Sequence, residues 1–177
     1  INLTPEETDR GIDSALKAIG EFASADRSFI ISMQYGQEGP EASNCHEWCA
    51  KEIEATLGKG IEGCTDGQSS LLVDLMQIYK VDSDTVSDVS PGAAREKAIF
   101  VSKGMQSMMV MPMVYAGRLI GFLGLGVAEG TKTWDEETAV LLRIVGEIFA
   151  SALERQRMQS DLRESEIAWN LAWMRLR

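Results

Sequence analysis

Residues 106–127 read QSMMVMPMVYAGRLIGFLGLGV, and this stretch decides the fold. Two apolar strands meet at Ala116-Gly117, where Gly117 can take the positive φ of a tight turn without a Cβ clash. Along the first strand Met109, Met111 and Met113 share one face, with Met108, Val110 and Val114 on the other. Both faces are apolar, so the sheet must be covered on both sides. The second strand carries Leu119, Leu123, Leu125 and Val127, interleaved with Gly121, Gly124 and Gly126. Glycine inside a strand marks the close approach of another backbone, a bulge or a ligand. A helix packed on a smooth glycine patch is the simpler expectation, and a ligand there the sharper one.

Upstream, Thr4-Pro5-Glu6-Glu7 is a helix start, with Thr4 as cap, Pro5 at the first position and Glu7 closing a capping box. Ile12, Leu16, Ile19 and Phe22 follow at spacings of four and three, giving one apolar stripe that ends at Ser24-Ala25-Asp26. Residues 28–35, SFIISMQY, are a strand by composition, and 36–40 a loop. Residues 44–50, NCHEWCA, complete a hairpin as a strand, with a helical reading left open. Residues 51–63 are broken by glycines at 58, 60 and 63, and 69–80 read as a helix carrying Leu72, Met76 and Tyr79. A short extended piece lies in 81–89, and Ser90-Pro91 restarts a helix that ends at Lys103-Gly104.

Downstream, Thr133-Trp134-Asp135-Glu136 reads as a second capping box. The helix that follows runs through Leu141, Ile144, Val145, Ile148, Ala152 and Leu153 and meets no stop signal. At ~40 residues it exceeds the usual length and is expected to protrude as a coiled coil or a connector. Its a/d pattern holds from 141 to 152 and then admits Arg155, Gln159 and Glu166, the mark of a weak, switchable dimer seam.

The bulk numbers bound the function. The 177 residues suffice for one domain with a real core, and 45% are hydrophobic. With 27 acidic against 17 basic residues, a net charge of −10 argues against nucleic acid or an anionic membrane as partner. No apolar run approaches the ~20 residues of a membrane span, and no signal peptide opens the chain. A start at Ile1 reads as a module taken from a longer protein, and three cysteines, an odd count, fit a reducing cytoplasm better than a disulfide framework.

The order helix, hairpin, helix and loop, short strand, helix, hairpin, long helix resembles a GAF domain, the small sensory module of bacterial signalling proteins. Residues 18–31, AIGEFASADRSFII, resemble the family's first helix running into its first strand. The segment 44–49, NCHEWC, is similar to one in GAF modules of sensor histidine kinases and diguanylate cyclases. Residues 104–112 and 117–124 resemble the central hairpin, and 134–155 the last helix. The likeness covers roughly 8–158, and 162–166, LRESE, resembles a linker leading into a PAS domain. It implies an α+β fold: a central antiparallel sheet, with the N- and C-terminal helices on one face and a helix-loop layer on the other. Residues 1–158 would form the sensory domain and 159–177 a helical linker to an output domain. It also implies a cytoplasmic, non-catalytic regulatory module, dimeric through its terminal helices, with a small ligand between the sheet and residues 60–104.

The chemistry-bearing residues are few. Cys45, His46, Glu47 and Cys49 form the one metal-type cluster, but on a strand the two cysteines lie roughly 13 Å apart, beyond disulfide reach and too far for a compact local site. A helix would bring them to one face, where Cys64 could join. The simpler reading makes both cysteines small core residues, and a redox-responsive Cys49 or Cys64 is the alternative. The methionines at 105, 108, 109, 111 and 113 are either core filler or a soft lining for a flat ligand. Candidate pocket residues are therefore Trp48, Cys49, Met76, Met109, Met111 and Met113, with the Met109-Met111-Met113 face assigned to the cavity. The ligand itself is unassigned.

The resemblance also trims possibilities. Covalent bilin photoreceptors of this family carry a Cys-His pair in the helix before the central hairpin, and residues 93–103 contain neither. The Asn-Lys-Phe-Asp-Glu signature of cyclic-nucleotide GAF domains is not visible. Methionine sulfoxide reductases of this fold use cysteine-bearing segments that this chain does not reproduce. Haem held through a methionine or His46 stays open, although the chain has no Cys-x-x-Cys-His attachment motif. A pure dimerisation module with a filled interior stands as the alternative to a sensor.

Overall fold

A computed structural model of the chain describes residues 4–37, 39–55, 81–82, 85–86, 105–130 and 132–175. The expected helices at 69–80 and 90–103, and the pieces at 56–63 and 88–89, lie outside the described residues.

Helix α1, Pro5–Phe22, starts as the sequence dictates: the Thr4 side chain accepts from the Glu7 amide, and the Glu7 carboxylate accepts from the Thr4 amide. Strand β1, Arg27–Gly36, pairs antiparallel with β2, Gly39–Cys49, so NCHEWC is a strand and the expected 36–40 loop shrinks to a tight connection. Short strands β3, Val81–Asp82, and β4, Thr85–Val86, pair with each other. Strands β5, Ser107–Tyr115, and β6, Arg118–Val127, form the central hairpin. Ala116 and Gly117 turn it with φ of 50° and 81°. The main sheet runs β2-β1-β6-β5, antiparallel throughout.

Helix α2, Glu136–Arg175, is continuous over 40 residues. Its cap differs from the expected one: Asp135 Oδ1 accepts from the Thr138 amide at 2.7 Å, two residues after Thr133. The Asp135 carboxyl sits below its ordinary pKa because the Thr138 hydroxyl and amide both donate to it.

Helices α1 and α2 cover one face of the sheet. Leu16, Ile19, Ile30, Leu123, Leu142 and Phe149 form the centre of this core, each burial of such a side chain stabilising by about 1.5–3 kcal/mol. The helix ends are tied together at Lys132, whose Nζ donates to the Ala23 and Ser24 carbonyls at the end of α1. The opposite face is equally buried: Phe29, Ile31, Val110 and Phe122 are all within 2% of full burial.

Candidate functional site

The glycines of β6 explain how the second face is filled. A Cβ at Gly124 would lie 2.3 Å from Cζ of Phe29, and one at Gly126 would lie 2.8 Å from Sδ of Met105. The strand is bare there so that Phe29 and Met105 can lie flat on it, which is neither the helix nor the ligand expected. At Gly121 a Cβ would lie 2.3 Å from the Ile31 carbonyl oxygen, a close strand-to-strand approach beside the bulge at Met113 and Val114.

The register puts Arg27 opposite Cys49 and Phe29 opposite Glu47 on that same face. Arg27 Nε lies 2.9 Å from Glu47 Oε1, with both side chains almost fully buried. Arg27 Nη2 also donates to the Glu54 carbonyl at 2.7 Å. Two charges withdrawn from water hold together only through such mutual pairing. They make one polar corner on an otherwise apolar floor of Phe29, Ile31 and Phe122. Cys49 sits beside them as a free, half-buried thiol. Burial pushes its pKa up, and Glu47 adds to this while Arg27 opposes it. A thiol so placed has little thiolate character. Cys45, buried on the same face, is disulfide-bonded, which corrects the expectation of a disulfide-free chain.

Of the described candidate pocket residues, Trp48, Met109, Met111 and Met113 lie on the helix face and Cys49 on the other. Met109, Met111 and Met113 belong to the core packed under α1 and α2, and Met113 lies against Gly146 of α2. The assignment of their face to the cavity is therefore corrected: it is the helix face. Flexible thioethers fill the uneven gap between a twisted sheet and two helices. Trp48 lies on that side too, its ring against Gly20 of α1. Only Cys49 is on the second face, and Met76 lies outside the described residues. His46, on the helix side of β2, is buried between carboxylates: Nδ1 is 3.1 Å from Asp13 Oδ1 and Nε2 is 3.5 Å from Asp9 Oδ1. With Asn44 Nδ2 3.2 Å from Nε2, this cluster fastens α1 to β2. Among the described residues no group of three or more His, Cys, Asp or Glu is arranged to hold a metal ion, and no helix is long and apolar enough to cross a membrane.

Arg27, Phe29 and Phe122 were not singled out from sequence, and Glu47 was named only as a member of the metal-type cluster. The available signal was the hairpin register, which sets an arginine diagonally across from a glutamate on an apolar face.

The sequence profile of the GAF domain matches residues 7–153. The methanogenesis regulatory histidine kinase FilI of Methanothrix harundinacea is 23% identical over 158 residues, which are 88% of this chain and 18% of the kinase. The chain thus spans under a fifth of that relative's length. Among solved structures, a GAF domain of Synechocystis in its photoproduct state superposes with a TM-score of 0.58 at 13% identity, covering 87% of this chain and 98% of that one. The phycoerythrobilin-bound GAF domain of a cyanobacterial phytochrome gives 0.56 at 15% identity, covering 87% and 89%. The blue-light absorbing form of the Thermosynechococcus elongatus PixJ GAF domain gives 0.54 at 13%, covering 90% and 92%. At these identities the likeness is one of fold.

Proposed function

The chain belongs to the GAF domain family, and from that premise we propose that it is a non-catalytic sensory module of a signal-transduction protein. A small ligand binds on the sheet face turned away from α1 and α2, and the state of that face is passed through α2 to an output domain. The observation that carries this reading is the asymmetry of the sheet. One face packs on two helices, while the other is an equally buried apolar floor with the buried ion pair Arg27–Glu47 at its edge. An apolar bed with one oriented polar group is what a small-molecule site requires. Helix α2 packs on both β5 and β6, so a change in the hairpin reaches it directly. The ligand must bind two helix arrangements with different affinity for any signal to pass. The kinase relative supports a kinase-type output, with residues 1–158 as the sensory unit and 159–177 as the linker. The raised Cys49 pKa weighs against a redox-responsive thiol as the sensing group.

The test is thermal shift and calorimetry of the 177-residue chain with cyclic nucleotides, haem, linear tetrapyrroles and small metabolites. A ligand at a hundred times its Kd should stabilise the fold by about 2.7 kcal/mol. The stabilisation should disappear when Phe122→Ala removes part of the floor. No stabilisation by any class would overturn ligand sensing and leave a dimerisation module.

A further inference from the structure

The chain has one histidine, and β2 buries it under α1. Its Nδ1 faces Asp13 Oδ1 of α1 at 3.1 Å. Its Nε2 has two claimants: Asn44 Nδ2 on its own strand at 3.2 Å, and Asp9 Oδ1 on the helix at 3.5 Å. These two ask for opposite things. An amide nitrogen donates and needs a bare ring nitrogen, whereas a carboxylate accepts and needs that nitrogen to carry a proton.

We infer that His46 is a proton-operated link between α1 and the sheet, an input to the domain separate from any ligand on the other face. In the neutral ring the proton sits on Nδ1 and is donated to Asp13, while Nε2 accepts from the Asn44 amide. Asp9 is then left to water. A proton taken up at Nε2 ends the Asn44 donation, because that lone pair is gone, and is itself donated to Asp9 in a charge-assisted bond. The bond thus moves from within β2 to between β2 and α1. Each state pairs both ring nitrogens, which gives the cluster two stable arrangements for a proton to choose between. The link stands without the ligand reading.

The surroundings of the ring support this. From α1 it faces Asp9 and Asp13, while Lys17, one turn on, is 60% exposed and reaches Glu21 instead. From β1 it faces Ile30, with Ser28 and Ser32 on either side and no charge among them. Along β2 its neighbours on the same side are Asn44 and Trp48, and the Arg27–Glu47 pair lies on the opposite face of the sheet. The second half of α1 is held by other means. Ser28 Oγ donates to the Leu16 carbonyl at 2.7 Å, the Trp48 ring lies against Gly20, and Lys132 Nζ donates to the Ala23 and Ser24 carbonyls. The link therefore governs the first half of α1, whose Ile12 belongs to the core that α2 shares. Docking of that half is tighter with His46 charged and loosens as pH rises through its titration. It is lost again at pH low enough to protonate the aspartates.

Amide hydrogen exchange and ring nitrogen-15 shifts of the 177-residue chain test the link. The series runs between the ordinary carboxylate range of about 4 and the ordinary thiol value of about 8.5, where histidine is the side chain that titrates. Cys49 stays out of this range because burial pushes its thiol up. Protection of the amides of residues 9–13, corrected for intrinsic exchange, should fall about tenfold as His46 loses its proton, while residues 17–22 change by less than about twofold. The neutral ring should be the Nδ1–H tautomer. Asp9→Asn, at a side chain 49% exposed, should cut the pH dependence to under about threefold without unfolding the domain. Glu21→Gln, an exposed acid on the same helix, should leave the dependence whole. Protection indifferent to the His46 titration, an Nε2–H tautomer in the neutral ring, full dependence in Asp9→Asn, or its loss in Glu21→Gln would each overturn the proposal.

Discussion

Replacing Gly124 by alanine tests how the second sheet face is built. The new Cβ would lie 2.3 Å from Cζ and 2.4 Å from Cε1 of Phe29, where carbon atoms normally stop at about 3.5–4.0 Å. The ring must retreat by more than about 1 Å. It has nowhere free to go: Phe29 is 1% exposed, with Ile31 and Phe122 fully packed on the same face. Overpacking of this kind costs about 1–3 kcal/mol. Alanine also narrows the unfolded ensemble, which returns about 0.4–1 kcal/mol. A net loss of about 1.5 kcal/mol follows, equivalent to a fall in Tm of about 3–6 °C for a domain of this size. The assay is urea and thermal unfolding followed by circular dichroism. The decisive comparison repeats Gly124→Ala in a Phe29→Leu background. Leucine lacks the ring atoms at the contact, so the glycine change should then cost under about 0.5 kcal/mol, a coupling of at least about 1 kcal/mol. An equal cost in both backgrounds, or a Gly124→Ala protein within about 0.5 kcal/mol of the parent, would refute the reasoning.

Three further outcomes are expected. Gly121→Ala should lose at least as much stability as Gly124→Ala, and no side-chain truncation should rescue it, because its Cβ meets the backbone oxygen of Ile31 at 2.3 Å; urea titration of the double mutants measures this. Arg27→Met should cost about 3–5 kcal/mol by leaving the Glu47 carboxylate buried without its cation, and Arg27→Met with Glu47→Leu should be more stable than the single variant. The Asp135 cap has a folded pKa below its unfolded value, so its contribution is present above the ordinary aspartate range and is lost as pH falls through the depressed folded value. The Thr138 amide resonance should move with that titration, and Asp135→Ala should abolish the shift.

Much of the fold was legible because its signals are local. The Thr4 box, the turn at Ala116-Gly117 and the uninterrupted helix from 136 onward each depend on neighbours within a few residues. The choice of sheet face was not legible, for a physical reason. Both faces of β5 are apolar, so alternation carries no inside-outside information there. What settles it is a distant feature, the approach of α2 at Gly146 to Met113. The second helix cap was ambiguous because Thr133 and Asp135 can each cap a helix, and one hydrogen bond decides between them. The disulfide at Cys45 could not be read from spacing, since Cys49 on the same strand is free. The Arg27–Glu47 pair joins residues from two strands and becomes visible only once the hairpin register is fixed.

Helix α2 rests on the sheet with its first half and continues unbroken beyond Leu153 as a rod about 33 Å long. No joint separates the two parts, so the helix is a lever whose short arm lies on β5 and β6. A tilt of about 5° at the sheet moves the far end by about 3 Å. A displacement of that size is half the pitch of an α-helix, enough to change which residues meet across a helical seam.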